Sequence, residues 1–139
     1  HSDIHVHRDE WVAACAQADD AYFREDVLGD YRWRYQTGEY AVAPGVQAVA
    51  SPGHTAGHMS LWIELPRGAP ILLCGDAADL EENLTEEIAP GLCWSDREDL
   101  ALGSIRKLKL LARETGAELW PNHDFNFFRA RDRFPAWFE

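Results

Sequence analysis

The sequence predicts one α/β domain built in layers. Short segments with the apolar patterns of β-strands alternate with turn signals, and one long amphipathic helix follows them. The 139 residues are 46% hydrophobic, which is enough to bury a sizeable core. Six Trp, four Tyr and six Phe are spread along the whole chain, and this aromatic content excludes a disordered protein.

The first part of the chain predicts a strand, a helix and an irregular segment. The strand covers residues 4–7, and Asp9 is the expected N-cap of a helix over residues 11–18. Residues 19–37 are aromatic and charged without a clear period, so we expect a loop or an irregular helix. The aromatic residues of this segment, at positions 22–35, either line an apolar pocket or pack in the core.

Strand patterns dominate the middle of the chain, in four segments at residues 39–43, 46–50, 59–65 and 71–74. Pro44-Gly45 favours a type II turn, so the first two segments predict a hairpin. The third alternates between apolar and other side chains, as a half-buried strand does. The fourth is a continuous apolar run, which predicts a strand covered on both faces that ends at Gly75-Asp76.

The clearest helix is expected over residues 96–115. Ser95 and Glu98 match a capping box, and Gly116 occupies the C-terminal stop position. Its apolar stripe consists of Leu102, Ile105, Leu108 and Ala112. A short strand and an aromatic tail that we expect to form a short helix follow at residues 118–120 and 125–138.

Charge and cysteine content exclude several function classes. Thirteen basic against twenty-four acidic residues give a net charge of −11, which argues against a nucleic-acid-binding surface. Three cysteines without a CxxC pair argue against a disulfide scaffold or a structural zinc finger, and favour a reducing compartment. No apolar run approaches the ~20 residues that span a bilayer, and the first residues do not resemble a signal peptide. We therefore expect a soluble, cytoplasmic domain.

Three side chains of metal-ligand type follow or precede predicted strands. His54 lies in a Gly-bounded loop before a strand, Asp76 follows a buried strand, and His123 follows the last strand. Each residue alone is more often an ordinary loop or turn residue. Loops at one edge of the sheet bind ligands in layered α/β folds, however, and imidazole with carboxylate is a ligand set for zinc and similar ions. Their shared placement makes the three a candidate metal site.

Three segments resemble the metallo-β-lactamase superfamily. Residues 52–58 (PGHTAGH) look like its PGHTxGH loop, and residues 72–77 (LLCGDA) are similar to the strand that ends in its metal-bridging aspartate. Residues 120–124 (WPNHD) resemble the terminal segment of its N-acyl-homoserine lactone lactonase branch. The hairpin and the long helix also look like that branch, so the resemblance covers nearly the whole chain. The three segments are specific together, whereas each alone is only suggestive.

The resemblance implies a fold, a metal pair and a role for each ligand. The fold would be α/β, the C-terminal half of an αββα metallo-β-lactamase sandwich. His54 would ligate the first metal, Asp76 would bridge both, and His123 would ligate the second. The cofactors would be two divalent ions, of which zinc is the first choice. Fe, Mn and Co are alternatives because they share these ligands. His58 is not a ligand in that family, and we expect it only to open a strand.

The superfamily's HxHxDH signature has no good counterpart here. The nearest string, His5-Val6-His7-Arg8-Asp9-Glu10, ends in Glu rather than His. Its two histidines also lie on one face of a predicted strand, whereas the family's motif lies in a loop. We interpret the string as a chance match. Residues 1–139 are then expected to be the C-terminal portion of one metallo-hydrolase domain, with the true motif upstream.

A second departure concerns Asp79. The resembled lactonases typically carry a tyrosine three residues after the bridging aspartate, placed to contact the substrate carbonyl. Asp79 occupies that position here, and a carboxylate does not donate a hydrogen bond unless it is protonated. Asp76, as the bridging aspartate, and Asp79, at the position of that tyrosine, are the catalytic candidates. The change from tyrosine also makes lactones other than the usual substrate plausible substrates.

The resemblance implies a metal-dependent hydrolase that opens a lactone ring. Its first expected substrate is N-acyl-homoserine lactone, as in quorum-quenching enzymes. A lactonase for another ring such as pyridoxolactone, a glyoxalase II-like thioesterase, and a non-catalytic module are the alternatives. The expected partner is a small-molecule lactone. We expect no binding to nucleic acid or to membranes, and a homodimer is one possible assembly.

Overall fold

The computed structural model describes residues 3–16 and 29–131, together with Glu25 and Val27. Seven strands form a parallel pair, β1–β2, and a five-stranded sheet in the order β3-β4-β5-β6-β7. Their bounds are β1 Ile4–His7, β2 Trp33–Gln36, β3 Tyr40–Ala43, β4 Val46–Ala50, β5 Met59–Ile63, β6 Ile71–Leu73 and β7 Glu118–Trp120. The α-helices in these ranges are α1 Arg8–Cys15, α2 Glu81–Glu86, α3 Glu98–Thr115 and α4 Phe125–Arg129. The α/β class predicted from the sequence is confirmed.

The five-stranded sheet grows from the predicted hairpin. β3 and β4 pair antiparallel across Pro44-Gly45, where Gly45 adopts a φ of 74° that other residues rarely take. β5 and β6 continue the antiparallel pairing, and β7 then joins β6 in parallel. The N-terminal end of β5 therefore lies at the same edge of the sheet as the C-terminal ends of β6 and β7.

Helix α3 covers one face of this sheet. Ile105 and Leu108 of the helix are fully buried and pack in one cluster with Leu72 and Val49 of the sheet. Burying a side chain of this size contributes roughly 1.5–3 kcal/mol, so the contact anchors the helix. Gly116 ends the helix with a φ of 72°, as the stop signal predicts.

Both predicted helix caps are wrong. His7 rather than Asp9 caps α1, because its Nδ1 accepts a hydrogen bond from the Asp9 backbone N–H at 3.3 Å. Ser95 cannot open α3 because its φ of 51° is not helical, and the helix begins at Glu98 without a side-chain cap. A short polar side chain lies near the start of each helix, but the backbone enters each helix at a different residue from the predicted one.

Two strand predictions also need correction. Residues 33–36, expected in an irregular segment, form β2 because they pair in parallel with β1. In β5 the alternation suggested that the apolar residues face the core, yet Ser60 is buried and Met59 and Leu61 are only half-buried. Hydrogen bonds to Ser51 and the Cys74 carbonyl satisfy the Ser60 hydroxyl and offset the cost of removing it from water.

The aromatic tail is partly confirmed. Its first residues form α4, where the Asp124 carboxylate caps the helix by accepting from the Phe127 N–H. Residues 132–138 of the predicted helix lie outside the described residues. Within the described part of the chain, no helix has both the length and the apolar character needed to cross a membrane.

Candidate metal centre

The sheet topology brings the three predicted ligands to one edge. His54 belongs to the loop that enters β5, Asp76 lies in a 3₁₀ turn after β6, and His123 follows β7. The convergence predicted from strand ends is observed, although the residues are far apart in the chain.

Asp76 stands between the two histidines. Its Oδ1 lies 3.0 Å from Nε2 of His123, and its Oδ2 lies 3.9 Å from Nε2 of His54. Each carboxylate oxygen therefore faces a different imidazole. An open cavity of about 290 Å³ covers this group and is lined by His54, Asp76, Asp79, Gly91, Leu92 and His123.

The main chain and α3 hold His54 in place. Its Nδ1–H donates to the Leu92 carbonyl at 3.3 Å, which leaves Nε2 as the nitrogen that faces Asp76. This arrangement fixes both the tautomer and the ring direction. The preceding Gly53 packs so closely on α3 that an added Cβ would lie 2.5 Å from the Ala101 Cα.

The hydrogen bonds to Asp76 favour its charged form. Burial alone would raise the pKa of this carboxyl, but hydrogen bonds from Asn122 and His123 outweigh burial and hold the pKa below its ordinary value. Asn122 Nδ2 donates to Oδ1 at 2.7 Å. Asp76 is therefore a carboxylate at neutral pH, as a metal ligand must be.

Asp79 joins the group in a way that the sequence reasoning missed. Donor atoms of Asp76, Asp79 and His123 all lie within 4.8 Å of one another. The backbone also couples the two loops, since the His123 N–H donates to the Asp79 carbonyl at 2.8 Å. The available signal was a second carboxylate three residues after Asp76, but the sequence predicts Asp79 as a catalytic candidate and not as a metal ligand.

The donor chemistry fits a divalent metal. Two imidazole nitrogens and carboxylate oxygens converge from three loops, and these are the donors that zinc and related ions take in proteins. The cavity above them leaves room for a small ligand. These residues could hold one ion between His54 and Asp76 and another between Asp76 and His123.

His58 does not join the ligand atoms. Its ring points beneath the site, where Nδ1 lies 2.9 Å from the Ser51 hydroxyl and Nε2 accepts from the Asp76 backbone N–H at 3.0 Å. Burial lowers the pKa of this imidazole, and the hydrogen bond to the Ser51 carbonyl opposes that change without cancelling it. His58 therefore does more than open β5.

The two histidines of the His5–Glu10 string have partners outside the candidate site, whereas Glu10 contacts the loop that carries His54 by accepting a hydrogen bond from the Gly57 N–H at 2.9 Å. His5 contacts Gln36 and Tyr40, and His7 caps α1. In the described ranges, neither histidine belongs to a cluster that could hold a metal.

The described aromatic candidates for an apolar pocket, Tyr31, Trp33 and Tyr35, do not line this cavity. Residues 22–24 lie outside the described residues. Trp33 and Tyr35 are described, and their rings lie 5.0 Å and 5.2 Å from that of Trp11. These two pack in an aromatic cluster.

Comparison with known proteins relates nearly the whole chain to N-acyl homoserine lactonases. One from Bacillus sp is 37% identical over 134 residues, which make up 96% of this chain and 52% of the relative. The N-acyl homoserine lactonase AttM of Azorhizobium caulinodans is 30% identical over 93% of this chain and 42% of its own length. The chain thus spans about half the length of the curated relatives it matches. No family model matches it.

Solved structures agree with the sequence comparison. An N-acyl homoserine lactone hydrolase with the product N-hexanoyl-L-homoserine bound at its catalytic metal center is 32% identical, with a TM-score of 0.86 over 98% of this chain and 52% of the other. AidC, a dizinc quorum-quenching lactonase, is 12% identical, with a TM-score of 0.63 over 88% of this chain and 48% of the other. The second likeness concerns the fold alone.

Proposed function

Because the chain is homologous to the N-acyl homoserine lactonases of the metallo-β-lactamase superfamily, we propose that it is part of an enzyme that opens a lactone ring. N-acyl homoserine lactones are the proposed substrate class. The observation that carries the proposal is the position of Asp76, whose two oxygens face His123 and His54 at 3.0 and 3.9 Å. That placement suits one carboxylate shared between two divalent ions, for which zinc is the first choice.

The three ligands do not complete such a site by themselves. Because Asp76 counts twice, they supply about two protein ligands to each ion, whereas catalytic zinc normally has three and a water. We propose that the remaining ligands belong to a part of the domain outside these 139 residues. This part would correspond to the half of the relatives that the chain does not match.

The side chains have separate tasks in the proposed reaction. A bound metal pair supplies a water whose pKa is lowered toward ~7 and polarises the lactone carbonyl. His54 and His123 would each hold an ion through Nε2, because these two nitrogens face different oxygens of Asp76. The Asp76 carboxylate is also placed to carry a proton to the ring oxygen that leaves, because it borders the cavity where the substrate would lie.

Asp79 would act on the metal side of the site rather than as a hydrogen-bond donor to the substrate. Its carboxylate oxygen lies within 4.8 Å of the donor atoms of Asp76 and His123, which is close enough to share an ion. We infer that Asp79 is a further ligand of the ion held by His123. Substrate orientation would then depend on other groups, so we expect lower activity on N-acyl homoserine lactones, relative to other lactones, than in enzymes with tyrosine here.

A hydrolysis assay on the full-length protein tests the proposal. Ring opening of N-hexanoyl homoserine lactone releases a proton and is followed by pH indicator, with a glutathione thioester as the rival substrate. Asp76→Ala should abolish lactone opening and metal retention together. Asp99→Ala is the matched control, because Asp99 is an exposed carboxylate on α3 that pairs with Arg97. Thioester hydrolysis without lactone opening would refute the lactonase proposal.

A further inference from the structure

Three polar side chains lie beneath the turn that carries Asp76. Ser51 directly follows β4, His58 directly precedes β5, and Ser60 is the second residue of β5. We propose that these residues form a hydrogen-bond relay that positions Asp76, hereafter the Ser51–His58–Ser60 relay. His58 is thus a positioning residue, and the inference rests on the proposed role of Asp76.

The direction of every hydrogen bond in the relay can be derived. Ser60 Oγ donates to the Cys74 carbonyl at 2.8 Å, so its only proton is used. The Ser51 hydroxyl, 2.7 Å away, must then donate to Ser60 Oγ. Ser51 Oγ consequently accepts from His58 Nδ1–H, which also reaches the Ser51 carbonyl at 3.1 Å. His58 Nε2 is left unprotonated and accepts from the Asp76 N–H at 3.0 Å.

The relay starts and ends on the same turn. It accepts a hydrogen bond from the backbone N–H of Asp76 at His58 and donates one from Ser60 to the carbonyl of Cys74, two residues earlier. The Cys74 carbonyl and the Asp76 N–H, which both follow β6, are therefore hydrogen-bonded to the same relay. Because the donors and acceptors match without remainder, reversing any one bond would leave a buried group unpaired.

Burial and close packing leave the relay little freedom. Ser51 and Ser60 are 0% and 1% exposed, so their hydroxyls depend on protein partners for their hydrogen bonds. At Gly75, an added Cβ would lie 2.8 Å from His58 Nε2, and its φ of 58° suits glycine. The His58 ring and the Gly75 backbone thus fit against each other immediately before Asp76.

A space-filling role for His58 makes different predictions. A side chain that only filled space would tolerate either imidazole tautomer and any replacement of similar volume. The relay requires an acceptor at the Nε2 position and a donor at the Nδ1 position. Asparagine places its amide near the Nδ1 position and glutamine near the Nε2 position, so the two variants separate the two halves of the relay.

Imidazole nitrogen NMR of the isotope-labelled full-length protein gives the first test. We expect His58 to carry its proton on Nδ1, and the Asp76 amide to exchange slowly with solvent. A proton on Nε2 would overturn the relay, whether or not the protein binds metal. This readout is independent of the lactonase proposal, because a protein without metal or activity can still show the predicted tautomer.

Zinc titration of His58 variants gives the second test. Loss of an outer partner of a ligand typically lowers metal affinity about 10- to 100-fold, and we expect that loss for His58→Asn and His58→Ala. His58→Gln keeps the acceptor for the Asp76 N–H and should retain most of the affinity. Equal losses in His58→Gln and His58→Asn, or none in His58→Ala, would overturn the positioning role. If the wild-type protein itself binds no zinc, the metal proposal fails and the NMR result alone decides the relay.

Discussion

The surroundings of Asp76 favour the charged form of the carboxylate, which the proposed metal site requires. Two hydrogen bonds, from Asn122 and His123, draw the pKa below its ordinary value in spite of burial. The charged form is therefore favoured before any ion arrives. The same two partners lie on the loop after β7, so the charge of Asp76 also ties the ends of β6 and β7 together.

This coupling predicts an acid-side dependence of stability. A carboxyl whose folded-state pKa lies below its unfolded value stabilises the fold above the unfolded pKa of about 3.9, and this contribution is lost as the pH falls through the folded value. Urea unfolding of the metal-free protein should show wild type and Asp76→Asn converging as the pH drops below that range. A constant difference between the two at every pH would contradict the assignment.

Substitutions at Asp79 test its placement among the ligands. Asp79→Asn should weaken zinc binding, because an amide is a poorer ligand than a carboxylate, whereas Glu82→Gln nearby should not. Asp79→Tyr restores the residue typical of the resembled lactonases, and should raise activity on acyl-homoserine lactones relative to other lactones. Competition assays with both substrate classes measure the change. Full efficiency in the wild type without improvement by tyrosine would show that this position does not set specificity.

At the scale of elements, strands were easier to predict than their ends. The continuous run at residues 71–74 and the Pro44-Gly45 turn are local signals, and the strand and the hairpin form. The predicted cover on both faces of the strand is wrong at Leu73, which is half-buried. β2 was missed because it exists through pairing with β1, a contact that no local pattern encodes. The predicted cap at Ser95 failed for a related reason, since Ser95 lies in a 3₁₀ turn whose Trp94 N–H donates to the distant Gly53 carbonyl.

The sequence predicts which side chains meet at the candidate site, but it does not predict the hydrogen bonds that hold them in place. Strand ends placed His54, Asp76 and His123 correctly at one edge. The burial of Ser60 and the inward turn of His58 were not predicted, because their hydrogen bonds join segments that are distant in the sequence.

The close approach of the His54 loop to α3 can be tested with paired glycine variants. Gly53→Ala would place a Cβ 2.5 Å from the Ala101 Cα, and its φ of 148° is unfavourable for alanine. We expect a loss of roughly 1–3 kcal/mol, as overpacking typically causes. Gly103→Ala is the control, because that position on α3 is open and should gain up to about 1 kcal/mol in helix propensity. Equal effects of the two changes in urea unfolding would contradict the contact.

At the scale of the whole molecule, the two faces of the five-stranded sheet differ. α3 covers one face, whereas on the other Leu61, Leu73 and Trp120 lie in register and are only half-buried. An apolar sheet face of this kind favours association with another layer. The αββα sandwich implied by the homologues would supply such a layer.

The isolated 139 residues should therefore differ from the complete domain. We expect the chain alone to aggregate, to be nearly metal-free after dialysis and to be inactive, because its apolar sheet face would stay uncovered and the three proposed ligands supply only about two to each ion. Light scattering and metal analysis check this directly. Extending the chain at its N-terminal side with the HxHxDH-bearing half should restore metal and hydrolysis. Tight stoichiometric metal in the 139 residues, with His5, His7 and Asp9 as ligands, would overturn this account.

The most direct test of the metal centre is anomalous X-ray scattering from crystals of the full-length protein grown with zinc. We predict two peaks at the edge of the sheet, one beside His54 Nε2 and one beside His123 Nε2, with Asp76 contacting both. Peaks elsewhere, or a protein that opens the lactone with no metal at Asp76, would contradict the central claim.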